Sequence, residues 1–166
     1  MGMIGNGNLC MESFSNFKPT INFVEEEDRN TSIRRSEMGE IHTCNLISLN
    51  LAELTSDELE KHVALAVRAL DNTIDLTVTP LKESNKHNLM YRTIGVGAMG
   101  LADYLAREYM IYEESINEIN ELFERIALYS IKASALLAKD RGAYKAFKGS
   151  KWDQAIFFGK KREWYE

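Results

Sequence analysis

Residues Ile41–Leu51 read IHTCNLISLNL, and Thr55–Leu76 follow as TSDELEKHVALAVRALDNTIDL. The β-branched and apolar content of the first stretch suits a buried strand that then turns. Thr55-Ser56-Asp57-Glu58 has the form of a capping box, with Thr55 accepting from the Glu58 amide while Glu58 reaches back. Behind it Leu59, Val63, Val67, Leu70 and Ile74 recur at helical spacing, which predicts a helix over 56–76. A strand feeding a helix is the opening of an α/β unit.

Downstream, Pro80 closes that unit and a polar linker runs to Asn88. Met90–Val96 reads as a short strand that leads into a helix near Met99–Arg107. Ile116, Ile119, Phe123, Ile126, Tyr129, Ala133 and Leu137 then mark a long helix, with Gly142 placed for a left-handed C-terminal cap. Helices and one strand thus fill 55–142, and 143–166 form a basic, aromatic tail of weak periodicity. Upstream, 1–13 hold a short mixed segment that begins almost at Met1, and 14–40 read as a long polar loop. Loops of that length are uncommon in compact domains and are usually functional or inserted. No internal repeat interrupts the pattern. The expected architecture is α/β and helix-rich. Two strands make no closed sheet, and their unpaired edges mark a slice of a sheet or barrel that is incomplete on its own.

Composition excludes several classes. Of 166 residues, 45% are hydrophobic and 27% charged, so a packed core is expected and disorder is not. Two cysteines and two prolines rule out a disulfide-stapled secreted scaffold. The net charge of -5 is uneven: the chain from Lys139 onward carries eight basic and four acidic residues, while the rest is acidic. An acidic body argues against duplex nucleic acid as a partner. No run approaches the ~18 apolar residues of a membrane span, and Met1–Asn8 lack the features of a signal peptide. A cytoplasmic protein with reduced thiols is expected.

Two motifs could carry chemistry. Gly95-Val96-Gly97-Ala98-Met99-Gly100 matches the glycine pattern of a dinucleotide-binding turn, where backbone approaches a pyrophosphate at a helix N-terminus. That fold needs an acidic residue at the end of a second strand about 20 residues on. Glu114 and Glu118 lie near that distance but at the start of a helical pattern, so close strand–helix packing is the blander reading. The second motif centres on Cys10. Asn8, Cys10 and Glu12 alternate, so an extended segment projects all three to one side. The trio offers a hydrogen-bonding amide, a sulfur reactant and a carboxylate base. A free cysteine is also often just a small buried hydrophobe. His42, His62 and His87 show no metal-ligand spacing with the cysteines and read as surface or capping residues; no metal or directly bound cofactor is expected.

Asn8-Leu9-Cys10-Met11-Glu12 resembles the N-L-C-x-E active-site loop of class I ribonucleotide reductase large subunits. Cys44-Asn45-Leu46-Ile47-Ser48-Leu49-Asn50-Leu51 is similar to the same family's C-N-L-x-S-x-x-L segment. Further similarity lies at Ala64, Val67, Arg68, Ala69, Leu70 and Asp71, at Arg92–Gly97 with Gly100-Leu101-Ala102, and from Lys132-Ala133-Ser134 to Gly142-Ala143-Tyr144. The resemblance covers nearly the whole chain in the family's order.

The resemblance implies a slice of a ten-stranded α/β barrel and a role in reducing ribonucleoside diphosphates for DNA synthesis. Cys10 would form the thiyl radical that takes the 3′ hydrogen of the ribose, an S–H bond being close in strength to that C–H bond. Glu12, ionised at pH 7 with an ordinary pKa of ~4.3, would remove the 3′-hydroxyl proton and promote loss of the 2′-hydroxyl as water. Asn8 would hydrogen-bond the substrate there. Cys44 would be one of two cysteines that become a disulfide. The radical would come from a metal-containing small subunit and the electrons from thioredoxin or glutaredoxin. The family's second reducing cysteine, effector domain, phosphate-binding segment, tyrosine relay and C-terminal cysteine tail have no counterpart in this sequence. The expected partners are therefore complementary large-subunit fragments, as from a split gene, with the chain inactive alone. A non-catalytic module of the same fold and a dinucleotide-binding oxidoreductase built on Gly95–Gly100 are the competing readings.

Overall fold

The computed structural model describes residues 18–28, 31–157 and 160–161. In chain order these form β1 (Ile21–Asp28), β2 (Thr31–Glu37), β3 (Leu46–Asn50), α1 (Leu59–Leu76), α2 (Lys82–Tyr91), β4 (Gly95–Met99), α3 (Leu101–Arg107), a 3-10 turn (Tyr112–Glu114), α4 (Ile116–Arg141), β5 (Ile156–Phe157) and β6 (Lys160–Lys161). The centre of the fold is a parallel pair. β3 and β4 run side by side from Leu46 opposite Gly95 to Asn50 opposite Met99. Parallel neighbours need a crossover connection, which α1 and α2 provide.

One face of this pair is packed. Leu59, Val63, Ala66, Val67, Leu70 and Ile74 of α1 are buried, as the helical spacing predicts. Leu59, Val63 and Ala66 join Leu49 and Leu51 from the β3 end and Leu122 and Ile126 of α4 in one core. Burying each of the Leu, Val and Ile side chains stabilises the fold by about 1.5–3 kcal/mol. α4 runs from Ile116 to Arg141 as expected, but its buried line passes through Leu122, Ile126 and Ala133, leaving Ile116 and Phe123 largely exposed. Gly142 has positive φ (89°) with extended ψ (154°), so it ends α4 without the left-handed cap the sequence predicts.

Several expectations need correction. The predicted loop over 14–40 contains the antiparallel hairpin β1–β2. Its register sets Glu25 opposite Arg34 and Phe23 opposite Arg35, with a shift between Phe23 and Glu25. The stem is closed by Glu40 N–H donating to Lys18 O at 2.7 Å and Gly39 N–H donating to Thr20 Oγ1 at 3.1 Å. A Cβ on Gly39 would sit 2.2 Å from Lys18 O, so only glycine allows this crossing.

The strand expected over 41–51 begins only at Leu46. The polar linker after Pro80 is instead α2, and Met90 and Tyr91 end that helix rather than start a strand. The capping box forms only in part. Thr55 Oγ1 donates to Glu58 Oε2 at 2.7 Å, while the Glu58 amide binds the Thr55 carbonyl and Glu58 itself caps the helix.

Arg92 ends α2 in the left-handed region (φ 48°, ψ 44°), a conformation that costs a non-glycine residue roughly 1–2 kcal/mol. Its guanidinium donates to Asp71 Oδ1 at 2.6 and 2.8 Å and to Asp75 Oδ1 at 2.6 Å. Arg141 donates to the other Asp71 oxygen at 2.6 Å. These charge-assisted bonds offset the backbone strain and fasten α1, α2 and α4 at one end. The tail is tied back by Ala146 N–H donating to Met90 O. No helix among the described residues is long and apolar enough to cross a membrane.

Candidate functional site

Asn8, Cys10 and Glu12 lie outside the described residues. Cys44, the other residue singled out from the sequence, is half-buried and lies two positions before the first residue of β3. It stands in the lead-in segment rather than in the strand where the sequence reading placed it. A cleft of about 330 Å³ opens there, lined by Thr43, Cys44 and Leu46 on one side and by Ala69 and Thr73 of α1 and Thr77 just after it on the other.

The two sheet faces differ in a way that follows from strand alternation. Leu49 points into the helix-packed core, with Ile47, Val96 and Ala98 against it. Leu46 and Ser48 belong to the opposite alternation and are exposed, as are Gly97 and Met99 of β4. Gly95 and Gly97 keep this second face low beside Leu46 and Ser48, their register partners.

This placement settles the glycine motif. Gly95 and Gly97 are inside β4, not in a turn before a helix, and α3 behind them has only seven residues. A Cβ on Gly95 would come 2.6 Å from Leu46 Cδ2, and one on Gly100 would come 2.5 Å from Asn50 Oδ1. The crowding is therefore between neighbouring strands and their exit turns, rather than between strand and helix as the sequence reading had it. Gly100 also needs glycine for its backbone (φ 73°, ψ 23°). A Cβ on Gly97 would meet Ser48 Oγ at 3.5 Å and Ile47 O at 3.7 Å, both ordinary contacts. Glu114 falls in the 3-10 turn and Glu118 in the first turn of α4, so neither ends a second nucleotide-binding strand. We expect Gly100→Ala to destabilise the chain by about 2 kcal/mol, from strain plus the clash, and Gly97→Ala by less than ~1 kcal/mol. Urea unfolding midpoints check both; equal shifts would contradict this account.

The segment carrying Cys44 is held by polar residues that the sequence reading did not mark. Asn45 is 7% exposed, and its side-chain Nδ2 donates to Asn88 Oδ1 at 3.2 Å, to Thr93 O at 3.1 Å and, more weakly, to Thr43 O at 3.4 Å. Its carbonyl accepts from Gly95 N–H at 2.9 Å. Asn88 is 1% exposed, and on the same face of α2 His87 is wholly buried, which overturns its reading as a surface or capping residue. The His87 ring meets His42 edge-on at 5.0 Å and Tyr91 at 4.8 Å. Tyr91 donates to Glu40 Oε2 at 3.0 Å, and Thr20 donates to Glu83 Oε1 at 3.1 Å, which docks the hairpin stem on α2. Burial lowers the His42 pKa. Burial and the Glu40 carboxylate raise that of Tyr91. Among the described residues no group of three or more His, Cys, Asp or Glu is placed to hold a metal ion.

Fold and site together define a strand–helix–helix–strand unit of a parallel α/β sheet, with a thiol at the N-terminal approach to its first strand. The model of the ribonucleotide reductase barrel domain matches residues 1–165, and the chain belongs to that family. It is 44% identical over its full length to the ribonucleoside-diphosphate reductase subunit alpha of Synechocystis sp., of which it spans 19%. Over 94% of its length it is 32% identical to the subunit of the same name in Helicobacter pylori, covering 25% of that protein. Over 93% of its length it is 35% identical to the Chlamydia trachomatis subunit, covering 14%. The chain thus spans a quarter or less of each of these relatives.

Proposed function

We propose that this chain supplies the thiol-bearing part of the catalytic barrel of a ribonucleoside-diphosphate reductase, acting together with the rest of that subunit. The observation that carries the reading is the match of residues 1–165 to the reductase barrel domain, with the motif residues Asn8, Cys10, Glu12 and Cys44 all in place. The open parallel pair β3–β4 supports a unit of a larger, ten-stranded barrel, because each strand has a partner on one side only among the described residues.

In this reading the substrate is a nucleoside diphosphate. Cys10, as a thiyl radical generated through a metal-containing small subunit, takes the 3′ hydrogen and later returns it. Glu12 accepts the 3′-hydroxyl proton, and Asn8 hydrogen-bonds the same centre. The 2′-oxygen leaves as water. Cys44 and a second thiol from the remainder of the subunit supply two protons and two electrons and become a disulfide, which an external dithiol protein such as thioredoxin or glutaredoxin reduces. Reduction at a cytoplasmic thiol poise suits this cycle.

Reconstitution tests the proposal. Combined with the missing large-subunit segments and the small subunit, the chain is expected to restore deoxynucleotide formation from a nucleoside diphosphate. A stable assembly that forms no deoxynucleotide would instead support a non-catalytic module of the same fold.

A further inference from the structure

We propose that Asn88 is a positioning residue for the thiol of Cys44, acting through the carboxamide of Asn45. The inference rests on the reading of Cys44 as a reductant. Register between β3 and β4 is already closed next to Cys44 by Gly95 N–H donating to Asn45 O, so the strand pair does not need the Asn45 side chain to align it. That side chain nevertheless turns inward and bridges three separate segments: the carbonyl of Thr43 just before Cys44, the carbonyl of Thr93 just before β4, and the side chain of Asn88 on α2. Asn45 and Asn88 lie 43 residues apart and both are buried. A buried amide pair is costly to desolvate and gives little net stability when satisfied, so its main effect is to fix geometry. Here it fixes the two residues that flank Cys44.

A reducing thiol needs that fixity. Disulfide formation requires Cα atoms about 4.4–6.8 Å apart, and deviations strain the bond and make it more reducible. The two N–H groups of Asn45 share three acceptors, and without Asn88 one of them is left to the long 3.4 Å bond to Thr43 O. The segment then relieves this by moving, and Cys44 moves with it.

The test uses the assembled reductase with Asn88→Leu, which keeps the volume and loses the acceptor, and Asn88→Asp, which keeps the acceptor oxygen. With dithiothreitol as the probe, Asn88→Leu is expected to shift the exchange constant of the Cys44 disulfide about tenfold, or roughly 30 mV for this two-electron couple. It is expected to lower kcat roughly ten- to a hundredfold with KM for the nucleotide unchanged. Asn88→Asp is expected to keep most of both. Should Asn88→Leu not fold, Asn88→Ser, whose hydroxyl falls short of Asn45, takes its place. A folded Leu or Ser variant with an unmoved exchange constant and kcat would overturn the inference. Cys44→Ser separates the two levels: if that variant still turns over, the reading of Cys44 has failed. If it stops while Asn88→Leu is silent, only the role of Asn88 has.

Discussion

Assembled in the reductase, the Cys10→Ser chain is expected to give no measurable deoxynucleotide and no transfer of the 3′ hydrogen. The substitution preserves size and polarity, so binding and assembly should survive it. What it removes is the match in bond strength. A serine O–H bond is much stronger than the ribose C–H bond, so an oxygen radical would not be formed from the same source, whereas a thiyl radical is nearly balanced against the carbon. A penalty of only ~5.5 kcal/mol on this first step already slows it roughly 10⁴-fold. Release of tritium from the 3′ position and product formation should vanish together. Retained tritium release in Cys10→Ser would mean that another group starts the reaction.

Cys44→Ser should divide those two readouts. Serine cannot form a disulfide, so the two electrons that replace the 2′-hydroxyl have no source, and steady turnover should fall by at least roughly 10³-fold, about 4 kcal/mol. In the proposed order of steps hydrogen removal by Cys10 comes first, so release of 3′ tritium should persist. Loss of both signals would place Cys44 earlier in the sequence of events than proposed here. Full turnover with Cys44→Ser would remove it from the chemistry altogether.

The residues responsible show why parts of this molecule were legible in its sequence. α1 is read correctly because Leu59, Val63, Val67, Leu70 and Ile74 bury an apolar face, and apolar period is what sequence reports best. α2 is missed for the converse reason: its buried residues are Glu83, Ser84, His87 and Asn88, so a polar linker and a helix with a polar interior look alike. The hairpin is missed because the acidic run Glu25–Asp28 shows no apolar alternation in the sequence, so its backbone pairing leaves no period to read. In the site, Cys44 stands out because it belongs to a recognisable motif. Asn88 does not, since its bond to Asn45 joins residues far apart in the chain and neither has a pattern of its own.

The crossing at Gly39 has a polymer consequence. Where Glu40 bonds to Lys18 the chain is short-circuited, and β1 and β2 become a side branch of the path between the two cysteines. Measured along the sequence, Cys10 and Cys44 are 34 residues apart. Measured through the junction, the tether is eight residues up to Lys18 and four on from Glu40. Closing the shorter tether costs less chain entropy by ~0.9 kcal/mol. The branch can then lengthen, shorten or change its charge without altering how far apart the two sulfurs are leashed.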